Sequence, residues 1–380
     1  MSSAHAQTTP KTTINTLPNE LLVAILSHVD APEPLKLQHP TTLYACCLVS
    51  RRWRDCAQPV LWSAIPLGEY DGVNALKREA VSATLNRQVR TVSACGGELV
   101  GPEIFELASS FPAVEDVRLF FFDNNGAEDE DPEFWTRFPH VKRIALVDMC
   151  ISINRPVPLP QLVSLTILES NVDFTILETL LRPRNVPSLR HLSLGGLNTF
   201  ADEDETQRLP DLDTPLLDQL ELLQLDFCDH SDFPAALSTH PVPLLVSTAL
   251  RGLHQYSRVI GPLSHLRHFH LRPFSGHDLD PDVQVTQVLN GRVISVETPD
   301  LIGFLNSLRL STLLLPRQYL LPALDEDRRA ILDACAAKEI EVLWEDQEWE
   351  AEDGVWIREE MLRWLRRKRR EGGEGGEGRL

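Results

Sequence analysis

The chain has 380 residues, of which 43% are hydrophobic and 24% are charged, a balance typical of globular proteins with two or three packed units. Its formal net charge of -19 argues against nucleic acid as a main partner, because binding a phosphate backbone requires a Lys/Arg-rich surface. No apolar run approaches the roughly 18 residues of a membrane helix, residues 1–11 lack a secretory signal, and the seven cysteines form no CxxC pair. We therefore expect a soluble protein with reduced thiols in the cytoplasm and/or nucleus, with no membrane partner.

The first predicted element is an amphipathic helix that begins near Leu17-Pro18-Asn19-Glu20. Pro18 suits the first helical position, and Glu20 faces the positive end of the helix dipole. The apolar residues that follow recur at spacings of three and four, and they are Leu21, Leu22, Ile25, Leu26 and Val29. Residues 1–14, which precede this helix, are polar and are expected to be disordered.

Two further short helices are predicted after a proline-rich segment at residues 30–42. Thr41 or Thr42 can cap the second helix, and Ser50 can cap a third helix that carries Trp53. Three short helices within about fifty residues are small for a free-standing core, so such a unit often needs a partner surface. The simpler alternative is an ordinary helical subdomain that packs on the rest of its own chain.

The blocks LPNELLVAIL and LYACCLVSRRWRDCAQPVLWSAI resemble the F-box family, especially its fungal members. The resemblance covers residues 15–66. It implies docking to a Skp-family adaptor and, through the adaptor, to cullin, with no catalysis and no cofactor in this chain. The residues that the resemblance implies for adaptor contact are Leu17, Pro18, Leu21, Leu22, Ile25, Leu48, Val49 and Trp53.

An internal repeat dominates the chain after residue 66. The pattern Pro-x-(Val/Leu)-x-x-apolar-x-apolar begins at five prolines, Pro112, Pro139, Pro160, Pro187 and Pro215. Their periods of 27, 21, 27 and 28 residues are close to those of leucine-rich repeats. The alternating apolar pair of each copy, for example Leu192 and Leu194, is predicted to point into the stack, and the fifth copy places Leu220 and Leu222 in this role.

The predicted fold is therefore α/β, with an N-terminal three-helix F-box-like unit followed by an irregular leucine-rich-repeat-like solenoid over residues 67–347. Helical patterns fall between copies at residues 104–110 and 174–181, and residues 233–260 are expected to form one or two helices. Looser copies begin at Leu266 and Leu310. A helix at 325–338 and a strand at 340–344 close the solenoid, and residues 348–380 add a helix and a disordered basic and Gly/Glu-rich tail.

The repeat also predicts a binding surface, because the residues that flank each inward pair should face out from the parallel sheet on its concave side. The strongest candidates are Asp116, Arg118, Arg143, Thr166, His191, Glu221, His268 and His270, with Ser164, Ser193 and Gln219 beside them. This set is polar and mixed in charge, which favours an unknown protein substrate over lipid or nucleic acid.

Catalytic and metal chemistry has weak support in the sequence. No nucleophile elbow or phosphate-binding loop is present. His265, His268 and His270 could approach a metal ion, but repeat positions outside the apolar frame are commonly polar, so we expect neither metal nor enzyme activity. Two alternatives to a ligase subunit stay open: a non-degradative interaction scaffold, and an enzyme with a site at the histidines.

Overall fold

The computed structural model describes residues 17–27, 29, 41–67, 87–95, 111–122, 140–151, 157–197, 210, 212–226, 245–249, 268–272, 274–275, 288–289, 292–293, 302–303, 305–306, 309–316 and 325–345. The predicted disordered N-terminus at 1–14, the helix at 104–110 and the C-terminal region at 348–380 lie outside these residues. These three predictions, like the boundaries proposed between domains, stay predictions.

The N-terminal unit contains three helices, α1 (Asn19–Leu26), α2 (Thr41–Val49) and α3 (Arg51–Leu61). Pro18 lies at the N-cap position of α1, one residue before the predicted place, and its carbonyl accepts a hydrogen bond from Leu22 N–H. Ser50 caps α3 as predicted, because its Oγ accepts from the backbone N–H of Trp53 at 3.3 Å. The three helices enclose a small core of their own, formed by Leu22, Leu26, Leu43, Cys47, Cys56 and Ala57.

The rest of the described chain is a sheet-rich solenoid. Eleven strands form one parallel sheet in the order β1 (Ala64–Leu67), β2 (Thr91–Cys95), β3 (Asp116–Phe122), β4 (Arg143–Ile151), β5 (Ser164–Leu168), β7 (His191–Gly195), β8 (Leu222–Asp226), β9 (Leu245–Ala249), β10 (His268–Arg272), β14 (Thr312–Pro316) and β15 (Glu341–Glu345). A short strand, β6 (Asn171–Val172), pairs with the end of β4. A separate antiparallel sheet contains β11 (Phe274–Ser275), β12 (Val288–Leu289) and β13 (Arg292–Val293).

In the described part of the chain, three helices accompany the parallel sheet: α4 (Phe174–Leu180), α5 (Thr214–Gln219) and α6 (Asp325–Ala337). Asp173 caps α4 and Asp213 caps α5 through their side chains. Apolar residues of all three helices belong to the main core. The predicted inward pairs of the first four repeats also belong to it, and these are Val117 and Leu119, Ile144 and Leu146, Leu165 and Ile167, and Leu192 and Leu194.

The predicted register of the fifth repeat is wrong. Leu192 pairs with Leu223 and Leu194 with Leu225, so the inward pair lies three residues beyond the predicted Leu220 and Leu222. Pro215 does not precede this strand directly, because it lies in the first turn of α5. The helix contains residues that the sequence pattern had placed in the segment leading directly into the strand.

A second correction concerns residues 233–260, where helices were expected. Their described portion is the strand β9, which pairs in parallel with β8 and β10. β-Branched Val246 and Thr248 in this segment favour extended backbone. The parallel sheet therefore continues where the apolar sequence had favoured helix.

A left-handed residue recurs in three neighbouring coils, inside β4 and directly after β5 and β7. Asp148, Glu169 and Gly196 have φ values of 52°, 50° and 59°. They directly follow Val147, Leu168 and Gly195. These three residues occupy the same position in β4, β5 and β7, since Val147 pairs with Leu168 and Leu168 pairs with Gly195. Equivalent positions in successive coils thus share one unusual backbone conformation, which is the behaviour of a structural repeat.

Candidate adaptor-binding surface and solenoid face

Helix α1 separates its apolar residues between two sides. Leu22 and Leu26 are buried in the core of the N-terminal unit, whereas Leu21 is 52% exposed and Ile25 is 45% exposed. Leu22 was also predicted to contact a partner; its side chain has no exposed surface in this structure, and the contact stays a prediction. The pair one turn apart, Leu21 and Ile25, forms the open apolar side of α1.

Helix α2 adds three exposed apolar residues, Tyr44, Leu48 and Val49, at 61%, 65% and 65%. Tyr44 was missed in the sequence, although it lies four residues before Leu48 and so on the same side of the helix. Among the described residues, the exposed large hydrophobic side chains are these three together with Leu21 and Ile25. We call these five residues the open apolar surface.

The other predicted contact residues lie at the border of the unit or inside it. Leu17 is partly buried, Pro18 is exposed, and Trp53 packs against the helical core. Arg52 of α3 holds the start of α1, since its Nη2 donates to the carbonyl of Leu17 and its Nε donates to Asn19 Oδ1 at 2.8 Å. Sequence inspection missed this role because the two segments are far apart along the chain.

A protein-family model described as F-box-like matches residues 14–65. Residues 14–65 form an F-box-like domain. No curated protein matches the chain. The family match includes all of α1, α2 and α3, so the open apolar surface lies entirely within the F-box-like domain.

The thiols in the described part of the F-box-like domain include Cys46, Cys47 and Cys56, which are free. Burial raises the pKa of Cys47, the nearby Cys46 raises it further, and Arg54 opposes the shift. Cys335 in α6 also has a raised pKa because it is buried. A raised pKa keeps a thiol protonated and unreactive, which agrees with structural roles for both residues.

On the solenoid, Asp116 lies at the centre of a charged group on the sheet face opposite the main core. Its Oδ2 accepts from Arg118 Nη2 at 2.8 Å and pairs with Arg143 Nη2 at 3.1 Å. The Asp116 side chain is only 1% exposed, while that of Arg143 is 53% exposed. Three of the predicted candidates are thus brought together by β3 and β4.

The remaining described candidates differ in position. His191 Nε2 lies 3.9 Å from Glu221 Oε2, and Thr166 is buried in β5, which lies between β4 and β7. Glu221 and Gln219 do not flank an inward pair, because α5 ends at Gln219 and Glu221 directly precedes β8. His268 and His270 lie in β10 next to Thr312 and Leu314 of β14.

The expectation of an open concave face is wrong for several of these residues. Asp116, Thr166 and Ser193 have little exposed surface, as do their apolar neighbours Phe120 and Val147. Small and polar side chains in the sheet interior therefore cannot all meet a partner directly. The accessible charge lies instead at the edge where the strands begin, on Arg143 and its neighbours.

Within the part of the chain that the structure describes, no group of three His, Cys, Asp or Glu residues could hold a metal ion. His265, the third of the predicted histidine group, lies outside the described residues. None of the described helices combines the length and apolar character needed to cross a membrane.

Proposed function

We propose that this protein is the substrate-recognition subunit of an SCF-type ubiquitin ligase, in which the F-box-like domain binds a Skp-family adaptor and the solenoid binds a protein substrate. F-box domains generally bind such adaptors. The observation that carries the proposal is the open apolar surface: Leu21, Ile25, Tyr44, Leu48 and Val49 are all about half exposed or more.

An apolar surface of this kind has a physical cost when it faces water. Scattered single hydrophobic residues are normal on proteins, but a group on two helices of one small domain favours a partner that covers it. The domain already buries Leu22, Leu26 and Leu43 in its own core, so the exposed side chains are additional to those that its folding requires. Covering them with a second polypeptide would stabilise the complex by the hydrophobic effect.

The proposed mechanism is proximity. The chain would hold a lysine of the substrate near a ubiquitin thioester that the adaptor and cullin bring to the complex, so that a bimolecular step becomes effectively intramolecular. In this proposal the chain supplies affinity and geometry and no catalytic group. Its site of action would be the cytoplasm and/or nucleus, where such ligases meet their substrates.

We also propose that the solenoid is of the leucine-rich-repeat type. Support comes from the apolar-x-x-apolar-x-apolar spacing, which Leu189, Leu192 and Leu194 follow in one coil and Leu220, Leu223 and Leu225 follow in the next. All six side chains are buried. The spacing of 20 to 29 residues that is typical of this repeat type fits several of the coils.

The adaptor interface can be tested by co-expression of the full-length chain with a Skp-family adaptor. The double variant Leu48→Glu, Val49→Glu places two charges on the open apolar surface without touching the helical core. We expect it to lower adaptor affinity by about a hundredfold, the loss usual when central apolar contacts of an interface are disrupted. The control is Asp55→Ala on the exposed side of α3, for which we expect wild-type affinity.

Wild-type affinity in the double variant would reject this surface as the adaptor site. A second measurement separates a ligase subunit from a scaffold that binds the adaptor without leading to ubiquitin transfer. We expect the adaptor complex to recruit cullin in size-exclusion chromatography. Stable binding of the adaptor with no cullin in the complex would favour the scaffold.

A further inference from the structure

A cluster of charged side chains lies where β2, β3 and β4 begin. We call it the basic edge, and it consists of Arg90, Glu115, Asp116, Arg118, Lys142 and Arg143. Four cations therefore surround two carboxylates. The whole chain has a net charge of -19, so a local excess of positive charge is opposite to the character of the molecule.

Two carboxylates hold the cations in place. Glu115 Oε2 lies 2.8 Å from Lys142 Nζ, and Glu115 Oε1 lies 3.6 Å from Arg90 Nη1. The hydrogen bond from Lys142 lowers the pKa of Glu115, and the charges of Lys142, Arg90 and Arg143 lower it further. Cations from the coils on either side of Glu115 thus act on this one carboxylate.

Asp116 has a different role from Glu115 because it is buried. Its Oδ2 accepts a hydrogen bond from Arg118 Nη2 at 2.8 Å and forms an ion pair with Arg143 Nη2 at 3.1 Å. A buried carboxylate between two guanidinium groups fixes their orientation. A guanidinium has five N–H donors. The ion pair with Asp116 Oδ2 therefore leaves N–H groups of Arg143 available to a ligand.

Three of the four cations of the basic edge are also accessible, whereas the Arg118 side chain is only 14% exposed. The side chains of Arg90, Lys142 and Arg143 are 55%, 48% and 53% exposed, whereas Asp116 is almost fully covered. A partner that approaches this edge therefore meets positive charge first. An exposed ion pair such as Lys142 and Glu115 contributes little to the stability of the fold. Stabilisation of the fold therefore does not explain why four cations lie together here.

We propose that the basic edge binds an extended, carboxylate-rich segment of the protein substrate. The identity of the partner as a substrate rests on the function proposed above. Because β3 lies between β2 and β4, Arg90 and Arg143 are separated by two strand spacings, about 10 Å, which is about the length of three residues of extended chain. The basic edge has two more cations than carboxylates. A bound segment with two carboxylates about three residues apart would neutralise this excess. The net charge of the whole chain is strongly negative, which disfavours nucleic acid as the partner.

The proposal can be tested on the full-length chain with labelled peptides and fluorescence anisotropy. One peptide has Glu at every third position among Ser residues, a second has Gln at the same positions, a third has phosphoserine there, and the last probe is a single-stranded oligonucleotide of similar length. The patch variant is Arg90→Glu, Arg143→Glu. The matched control is Arg182→Glu, Arg184→Glu, which makes the same charge change at exposed positions after α4.

We expect the Glu peptide to bind at least tenfold more tightly than the Gln peptide, and the patch variant to remove that difference while the control keeps it. Equal losses in both variants would overturn the proposal, since they would indicate a non-specific response to net charge. Tighter binding of the phosphoserine peptide or the oligonucleotide than of the Glu peptide would overturn the assignment to carboxylates.

Two further readouts keep the result interpretable. Thermal unfolding of the milder variant Arg90→Gln, Arg143→Gln shows whether the variant is still folded. This variant should also lose the preference for the Glu peptide over the Gln peptide. The peptide assay contains no adaptor. Failure here with intact adaptor binding would reject the basic edge alone, whereas failed adaptor binding with intact peptide binding would reject the ligase function alone.

Discussion

The backbone N–H of Arg90 donates a hydrogen bond of 2.8 Å to the carbonyl oxygen of Ser63. Ser63 follows α3 closely, and Arg90 directly precedes β2, so this bond joins the end of the F-box-like domain to the solenoid. Val60 packs against the helical core, whereas Trp62 packs against the solenoid core. The two cores therefore meet within a few consecutive residues.

Replacing Trp62 with Ala should weaken the first coils of the solenoid. Trp62 is only partly buried, so we expect a loss of about 1–3 kcal/mol, less than the 3–5 kcal/mol typical of a fully buried Trp. Hydrogen exchange of the amides of β2 should accelerate. Trp53→Ala is the matched comparison, because Trp53 packs in the helical core and its loss should accelerate exchange in α1 and α2 instead. The same exchange pattern in both variants would contradict separate roles.

Leu21 and Leu22 should respond oppositely to truncation. Leu22→Ala creates a cavity in the small helical core and should reduce the free energy of unfolding by about 2–5 kcal/mol. Leu21→Ala removes an exposed side chain, so stability should change by less than about 0.5 kcal/mol while adaptor affinity falls. Urea unfolding and adaptor titration of both variants measure the two effects. Loss of stability in Leu21→Ala equal to that in Leu22→Ala would show that the exposed position has been misassigned.

Gly196→Ala should destabilise the solenoid. Gly196 has a positive φ of 59°, and an added Cβ would lie 3.2 Å from the Cα of Glu169 in the neighbouring coil. Backbone strain and this close contact together should cost about 1–3 kcal/mol. Gly303→Ala is the control, since a Cβ there would meet nothing within 4 Å and the change should be neutral or slightly stabilising. Thermal unfolding compares the two, and a neutral Gly196→Ala would argue against tight stacking at this turn.

Glu115 should make folding depend on pH on the acid side. Its pKa in the folded chain is lowered from 4.5, mainly by the hydrogen bond from Lys142. The stabilising contribution is therefore fully present above the ordinary pKa and is lost as the pH falls through the lowered value. Glu115→Gln should unfold more easily than wild type at neutral pH, and the difference should shrink in acid. A difference that stays constant across this range would exclude titration of Glu115 as its cause.

The apolar periodicities predicted much of this architecture. Spacings of three and four in α1 and alternation in the strands are local consequences of helix and strand geometry, so Leu192 and Leu194 could be placed in the core from sequence alone. The fifth coil was misplaced because Pro215 fits both the approach to a strand and the first turn of a helix. The side-chain cap from Asp213 to the backbone N–H of Leu216, a local contact that the structure shows, distinguishes these two possibilities.

Sequence patterns by themselves determined that a unit of short helices precedes a repeated strand-rich body, because both depend on residue spacing along the chain. Only the tertiary structure decided that Leu22 is enclosed while its neighbour Leu21 is open, and that Arg90, Lys142 and Arg143 meet around Glu115. Both outcomes depend on which segments pack together across long separations, and such contacts leave no regular spacing to follow.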